Sequence, residues 1–472
     1  MVAAWAVFTP EFTAEPDADG GGSTVPDPRA PDLAAAVVGS GPAGFYVAAA
    51  LLGLPDRNVR VDMLERLPTP WGLVRAGVAP DHPKIKSIAG LFARTATHER
   101  FRFFGNLEVG THVSRDDLRA RYDVVVYCAG APDDRALGIP GEHLRGVLGA
   151  RDFVGWYNGH PDFRDITVDL ATDRAVVVGN GNVALDVARV LATPPDRLAT
   201  TDIADHALDT LRGSLIHEVV VIGRRGPAQA TFTSPELREL AELTGAAVLV
   251  DPAQLASIDD ENLPHGPRHN VQILRDYAGI RPVNGGRRVA LRFLTSPIEI
   301  LGTDRVSAIV LGRNELDGHG RAVDTGERQT VSTGLVLRAA GYRGVAVPGV
   351  PFDDVTGVIP NRDGRIDGGD REYVAGWIKR GPTGIIGTNK KDAVDTVHTL
   401  VADLAAGPRP SRAAEPAAVE AWLRERRPEL VDLAGWAAID AAERAAGDRQ
   451  GRPRVKLCTW EELLAAARSV RV

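Results

Sequence analysis

The chain has 472 residues, 44% hydrophobic and 25% charged, with a formal net charge of −7. That length exceeds one ordinary core and predicts two or three domains. The acidic balance argues against a nucleic-acid-binding protein, which would carry a net basic face.

Two cysteines, Cys128 and Cys458, lie far apart with no CxxC pair. This removes a dithiol redox centre and a cysteine-ligated zinc or iron–sulfur site, so no metal is expected. Cys128, inside the apolar run "DVVVYCAGA", reads as a buried structural thiol in a protein of a reducing compartment.

Residues 1–32 include the Pro-, Gly- and Asp-rich stretch "TAEPDADGGGSTVPDPRAPD" and read as a disordered leader. The start "MVAAWAVFTPEF" lacks the basic region and sustained apolar core of a secretory signal. No apolar run reaches the about 18 residues that span a bilayer. A cytoplasmic protein is expected.

From Ala34 the sequence alternates short apolar runs with helical patterns, which predicts α/β architecture and parallel sheets. The first unit is a strand at Ala34–Val38, a turn at Gly39–Gly44, a helix at Phe45–Leu54 and a strand ending at Glu65. "GSGPAG" sets Gly39, Gly41 and Gly44 in GxGxxG spacing: tight turn, close approach to a pyrophosphate, close helix–strand packing. The helix N-terminus would then offer free N–H groups to the phosphates, and Glu65 could accept from ribose hydroxyls. The next stretch, "RLPTPWGLVRAGVAPDHPKIKSI", is too rich in Pro and Gly for regular structure before about Lys84. It predicts a long ordered loop where a ligand would sit, with His82 either a proton carrier or a loop hydrogen-bonder.

"YDVVVYCAGAP" at 122–132 is another strand ending in a small-residue turn. A second unit follows, with strands near 175–178 and 218–222. "GNGNVA" places Gly179, Gly181 and Ala184 in GxGxxA spacing, and the strand "HEVVVIGRRG" ends in Arg224 and Arg225. Guanidinium groups there would bind a 2′-phosphate that a carboxylate would repel, so the second nucleotide is expected to be NADP(H). The gap from Ala184 to Arg224 requires an extra helical insertion over 193–216. From Asn270 to Leu311 a period-two pattern predicts an antiparallel ribbon. "STGLVLRAAGYRG" at 332–344 echoes 122–132, suggesting return to the first domain after an insertion, and 413–470 looks helical. One acid-followed and one arginine-followed turn imply a flavin and a nicotinamide, hence hydride transfer between them.

The segments "PWGLVRAGVAPDHPKIKSI", "GNGNVALDVARVL", "GRRGPAQATFTSPELREL", "FLTSPIEI", "GYRG" and "GWIKRGPTGIIGTNKKDA" resemble the adrenodoxin-reductase-like ferredoxin–NADP(+) reductases, actinobacterial members in particular, over about Ala34 to Glu462. The resemblance implies two Rossmann-like domains, with an NADP domain at 133–342 inserted into an FAD domain formed by 33–132 and 343–472. It implies FAD contacts at Gly39, Gly41, Ala43, Gly44, Glu65, Leu73, Val109, Trp377, Gly384, Ile385 and Ile386. For NADP(H) it implies Arg135, Asn180, Gly181, Asn182, Val183, Arg224, Arg225, Glu236 and Gly384.

His82 and Glu239 match the polar pair that such enzymes set beside the flavin. Glu236 and Glu239, three apart in "SPELREL", would share one helix face behind an N-cap at Ser234. The implied reaction passes electrons from NADPH through FAD to a ferredoxin-type iron–sulfur protein. An acidic partner would need a local basic face, for which Arg268, Arg275, Lys379 and Arg380 are candidates. A monomer is expected. The alternatives are a flavin monooxygenase and an electron-transfer subunit of a larger complex; the latter would carry N-terminal cysteine clusters that this chain lacks.

Overall fold

The computed structural model describes residues 33–256, 258–280, 286–407 and 414–469; the leader expected at 1–32 lies outside them. Two parallel sheets organise the molecule. In the first, the strand Leu33–Val38 is central, with Val59–Leu64 and then Phe101–Phe104 on one side. On its other side lie Val124–Tyr127 and then Glu372–Val374, all parallel, and two short antiparallel strands close that edge. Every residue of "LAAAVV" is buried because helices and loops cover both faces, the reason a parallel strand reads as an unbroken apolar run. Leu33, Ala35 and Val37 enter one core, Ala34, Ala36 and Val38 the other.

The second sheet runs Val147–Gly149, Leu335–Arg338, Arg174–Val178, Glu218–Ile222, Arg287–Arg292 and Ala246–Val250, again all parallel. An antiparallel sheet of Thr295–Gly302, Val306–Leu316 and Ala322–Ser332 packs on one of its faces through Ile300, Ile309, Leu311 and Val331. The strand Glu372–Val374 returns the chain to the first sheet, so one α/β domain is inserted into another. Where the chain leaves and re-enters, Asp133–Asp134 pairs antiparallel with Tyr342–Arg343.

Two local expectations need correction. The period-two segment is not one ribbon: His265–Ala278 is a helix and Arg287–Arg292 is a parallel strand. The helix buries Asn270, Val271, Ile273, Leu274 and Tyr277, a helical spacing masked by the polar residues between them. Arg287–Arg292 alternates although it is parallel, because Val289 and Leu291 face the core and its arginines do not. The Pro- and Gly-rich stretch contains two one-turn helices, Leu73–Ala76 and Pro83–Lys86, the second opening on a proline whose fixed φ suits a first turn. The expected insertion at 193–216 supplies the helices Pro195–Leu198 and Asp205–Arg212. Helices Pro416–Arg426, Leu433–Asp448 and Trp460–Arg468 complete the first domain.

Candidate active site

The first glycine turn lies at the C-terminal end of Leu33–Val38. Gly39 has φ +104°, and a Cβ there would meet the Cys128 carbonyl oxygen at 2.5 Å. A Cβ on Gly44 would stand 2.0 Å from the Gly39 carbonyl oxygen, so only glycine lets helix and strand come this close. Gly41 differs: a Cβ there would meet nothing within 4 Å. Open space therefore stands over the N-terminus of the helix Pro42–Leu52, room for a pyrophosphate on free N–H groups. The helix starts at Pro42, so Gly44 belongs to it and the turn is shorter than expected. Behind the turn, Glu65 accepts from Ser40 N–H (2.9 Å), Ser40 Oγ (2.7 Å) and Leu67 N–H (2.9 Å), which fixes its carboxylate at the strand end.

Two further segments close over this turn. Trp71 N–H donates to Ser40 O (3.1 Å), and a Cβ on Gly72 would lie 2.8 Å from Gly41 Cα; Leu73 begins the next helix. Gly376 (φ +81°) brings the 376–387 segment against the helix, a Cβ there falling 2.5 Å from Ala43 Cβ. Next to it, Trp377 Nε1 is buried without a partner, while Ile385 is 62% exposed between Gly384 and the helix Thr388–Ala406. Among the described residues, an orphaned indole N–H and an uncovered isoleucine beside an open helix N-terminus fit a large planar cofactor. Val109 is half-buried and packs on the opposite core.

The second turn repeats the first. Gly39 N–H donates to Leu64 O (2.8 Å) and Gly179 N–H to Ile222 O (2.9 Å). Cys128 N–H donates to Val38 O (2.7 Å) and Ala339 N–H to Val178 O (2.8 Å). A Cβ on Gly179 (φ +137°) would lie 2.2 Å from Ala339 O. The echo between 122–132 and 332–344 thus has a different cause from the one expected: Leu335–Arg338 stays in the second sheet, and each small-residue turn braces its own glycine turn. Gly181 caps the helix Asn182–Ala192; Asn180 O accepts from the Thr231 and Phe232 N–H groups, and Asn182 Oδ1 from Thr233 N–H (2.8 Å). Val183 is half-buried on that helix. Arg224 is exposed and Arg225 half-buried, and neither guanidinium has a partner among the described residues. Two free guanidinium groups at this strand end fit a 2′-phosphate. Arg135 lies in the linker, its Nε donating to Tyr342 O (3.3 Å).

Between the turns the structure joins His82 and Glu239, 2.5 Å apart from Nε2 to Oε2. Arg189 is 4% exposed, holds Asp81 at 2.7 and 3.0 Å and Asp186 at 2.9 Å, and stands 3.3 Å from Glu239. Asp186 in turn lies 3.9 Å from His82. Burial pushes the Asp186 carboxyl up despite Arg189, and burial likewise raises Glu236; half-buried Asp81 is pushed up by its own burial but drawn down overall by Arg189. The cluster sets carboxyls raised by burial beside a fixed guanidinium. Asp81, Asp186 and Arg189 are not among the residues the sequence singles out, since "NVALDVARVL" shows only a helix-like pattern. Glu236 and Glu239 do share a face, but the helix is capped by Thr233, which hydrogen-bonds Glu236, while Ser234 Oγ donates to Asn270 (2.7 Å).

The four docking candidates are engaged. Arg268 donates to the carbonyls of Asp260, Glu261 and Leu263 (2.7–3.0 Å), and Arg275 pairs with Asp260. Lys379 pairs with Asp392 (2.9 Å) and Arg380 donates to Asn389 (2.7 Å), with side chains only 13% and 20% exposed. No helix among the described residues is long and apolar enough to cross a membrane.

Two glycine turns on two parallel sheets, one backed by a carboxylate and the other by free arginines, define a flavin- and pyridine-nucleotide-dependent oxidoreductase. The signature of the pyridine nucleotide-disulphide oxidoreductases matches residues 33–242. NADPH-ferredoxin reductase FprA of Mycobacterium leprae is 58% identical over 91% of this chain and 97% of its own. The mitochondrial NADPH:adrenodoxin oxidoreductase of Arabidopsis thaliana is 43% identical over 91% and 94%. The solved structure of Mycobacterium tuberculosis FprA in complex with NADPH superposes with a TM-score of 0.90 at 57% identity, covering 92% of this chain and 99% of that one. The chain belongs to the adrenodoxin-reductase-like family of NADPH–ferredoxin reductases.

Proposed function

We propose that this chain passes electrons from NADPH through FAD to a ferredoxin-type iron–sulfur protein. Bound FAD would supply the chemistry of hydride acceptance from the nicotinamide and single-electron release. The protein supplies binding, orientation and proton placement. The Pro42–Leu52 helix start, with Gly39, Gly41, Ala43 and Gly44, cradles the FAD pyrophosphate, and Glu65 accepts from the ribose. Leu73, Val109, Trp377, Gly384, Ile385 and Ile386 enclose the rest. Asn180–Val183 hold the NADP(H) pyrophosphate, Arg224 and Arg225 the 2′-phosphate, and Arg135, Glu236 and Gly384 the remainder. His82 Nε2 and Glu239 Oε2, joined by a hydrogen bond, would lie beside the reacting rings.

The observation that carries this reading is the contrast behind two equivalent turns: a carboxylate fixed by three donors against two guanidinium groups without a partner among the described residues. The FAD domain comprises 33–132 and 343–472, and the NADP domain 133–342. An acidic ferredoxin docks on a face that includes Arg268 and Arg275, and the enzyme acts as a monomer. Two buried free thiols, Cys128 and Cys458, suit a reducing cytoplasm.

The test is the visible spectrum of the purified protein during anaerobic addition of NADPH or NADH. A yellow protein bleached by NADPH at far lower concentration than by NADH is expected. A colourless protein, or equal bleaching by both, would sink the assignment.

A further inference from the structure

Hydride transfer between cofactors held on two domains requires those domains fixed to within about an ångström, a requirement that rests on the function proposed above. Among the described residues, two clusters of contacts cross the domains, beside the contacts of Asp162 with Arg66 and Trp460. One is the His82–Glu239 cluster. The other gathers at the C-terminal end of the helix Ala150–Tyr157. There Asp202 binds Lys86 Nζ through Oδ1 (2.5 Å) and Lys456 Nζ through Oδ2 (3.2 Å). Asn158 Oδ1 accepts from both ammonium groups (3.3 and 3.1 Å), and its Nδ2 donates to Val78 O (3.1 Å). Lys456 also donates to Arg75 O (3.2 Å).

Asn158 and Asp202 come from the inserted domain; Arg75, Val78 and Lys86 come from the loop after Glu65, and Lys456 from the C-terminal strap. The same strap pairs Arg452 with Asp205 and packs so tightly that a Cβ on Gly159 would meet Cys458 Sγ at 2.7 Å. Asn158, Lys456 and Asp202 are 1%, 5% and 8% exposed.

Buried ion pairs add little net stability over apolar packing; their best-attested role is to specify one geometry. Here Lys86 and Lys456 of the flavin domain converge on one carboxylate of the inserted domain; burial lowers both ammonium groups, Lys456 to about 7, against the pull of Asp202. Burial alone would raise Asp202, yet the two ammonium groups hold it down at about 2. The opposite end of the helix is pinned as well: Arg151 N–H donates to Asp134 Oδ2 (3.0 Å), and Asp134 belongs to the paired linker. An element about 12 Å long is thus tied to the linker at one end and to the flavin domain at the other. Rotation about the linker would pull Asn158 and Asp202 away from Lys86 and Lys456.

We propose that Asp202, clamped between Lys86 and Lys456, is an interdomain latch, a positioning residue that sets the orientation in which the nicotinamide reaches the flavin.

The test uses the holoenzyme with NADP+, spin-labelled at Leu215→Cys in the inserted domain and Val355→Cys in the flavin domain. Both sites are exposed, at 56% and 92%, whereas the native cysteines are buried. Pulsed electron resonance should give one narrow distance distribution in the parent and a broader, longer one in Asp202→Asn. Anaerobic stopped-flow should show flavin reduction about tenfold slower at saturating NADPH, with half-saturating NADPH nearly unchanged. Lys456→Met should reproduce both effects and stands in if Asp202→Asn does not fold. An unaltered distance distribution in the folded variant overturns the latch, whatever the rate. The distance is read without turnover, so failure of the electron-transfer assignment leaves this result separately interpretable.

Discussion

At the residue scale, Gly41 and Gly44 of the first fingerprint do different work, and substitution separates them. A Cβ on Gly44 would press on backbone that cannot move, so Gly44→Ala should cost on the order of 1–3 kcal/mol of stability. Gly41→Ala meets only open space. It should leave the melting temperature of the flavin-free protein unchanged while lowering FAD content at purification, because the methyl enters the pyrophosphate cradle. Loss of folding with Gly41→Ala, or full flavin retention, would contradict a cofactor at this turn. At the second turn Arg224→Ala removes a charge-assisted contact worth about 1.5–3 kcal/mol. KM for NADPH should rise roughly ten- to a hundredfold and KM for NADH hardly at all; equal changes would remove the 2′-phosphate role. These positions were legible because each motif is local: glycines, carboxylate and arginines follow one strand–turn–helix unit. Asp81, Asp186 and Arg189 were not, because Asp81 meets Arg189 across 108 residues, and a lone charge on a helix reads as solvated.

At the scale of elements, the parallel strands could be read since burial on both faces leaves an unbroken apolar run. The helix His265–Ala278 was lost among polar residues, and period two misreported the pairing of Arg287–Arg292, since alternation reports which face is covered and not the direction of the neighbour. One consequence of burial at an element's end could not be read from sequence at all. His160 follows the helix Ala150–Tyr157, packs on Phe163 (4.9 Å) and accepts Asp162 N–H at Nδ1 (3.2 Å), which requires a neutral ring. Burial lowers its pKa from 6.5 to about 4, against the pull of Asp162. The unfolded chain takes up the proton first, so this contribution is complete above pH 6.5 and is lost as pH falls towards 4. Between about pH 7.5 and about pH 5.5 the parent should lose about 1 kcal/mol that His160→Gln does not lose. Urea unfolding of both proteins at the two pH values checks this; parallel losses would mean that the imidazole titrates normally in the fold.

For the whole molecule, an insertion makes an asymmetric prediction about which pieces can stand alone. All six strands of the second sheet lie between Val147 and Arg338, and among the described residues the core around them takes only Cys458 from elsewhere. Expressed alone, residues 135–341 should therefore unfold cooperatively and bind 2′,5′-ADP through Arg224 and Arg225. The melting temperature should be lower than in the whole chain, because Asn158 and Asp202 lose Lys86 and Lys456. Residues 33–132 should not fold alone. Their strand Val124–Tyr127 would lose Glu372–Val374, and the cluster of Phe45, Trp71 and Phe92 would lose Val397, Trp436 and Ile439. Circular dichroism melts of the two fragments, with retention on immobilised 2′,5′-ADP, decide the matter. A 135–341 fragment without a cooperative transition would mean that the inserted sheet depends on the flavin domain for its fold. In that case the two nucleotide turns would share one folding unit despite their separate cores.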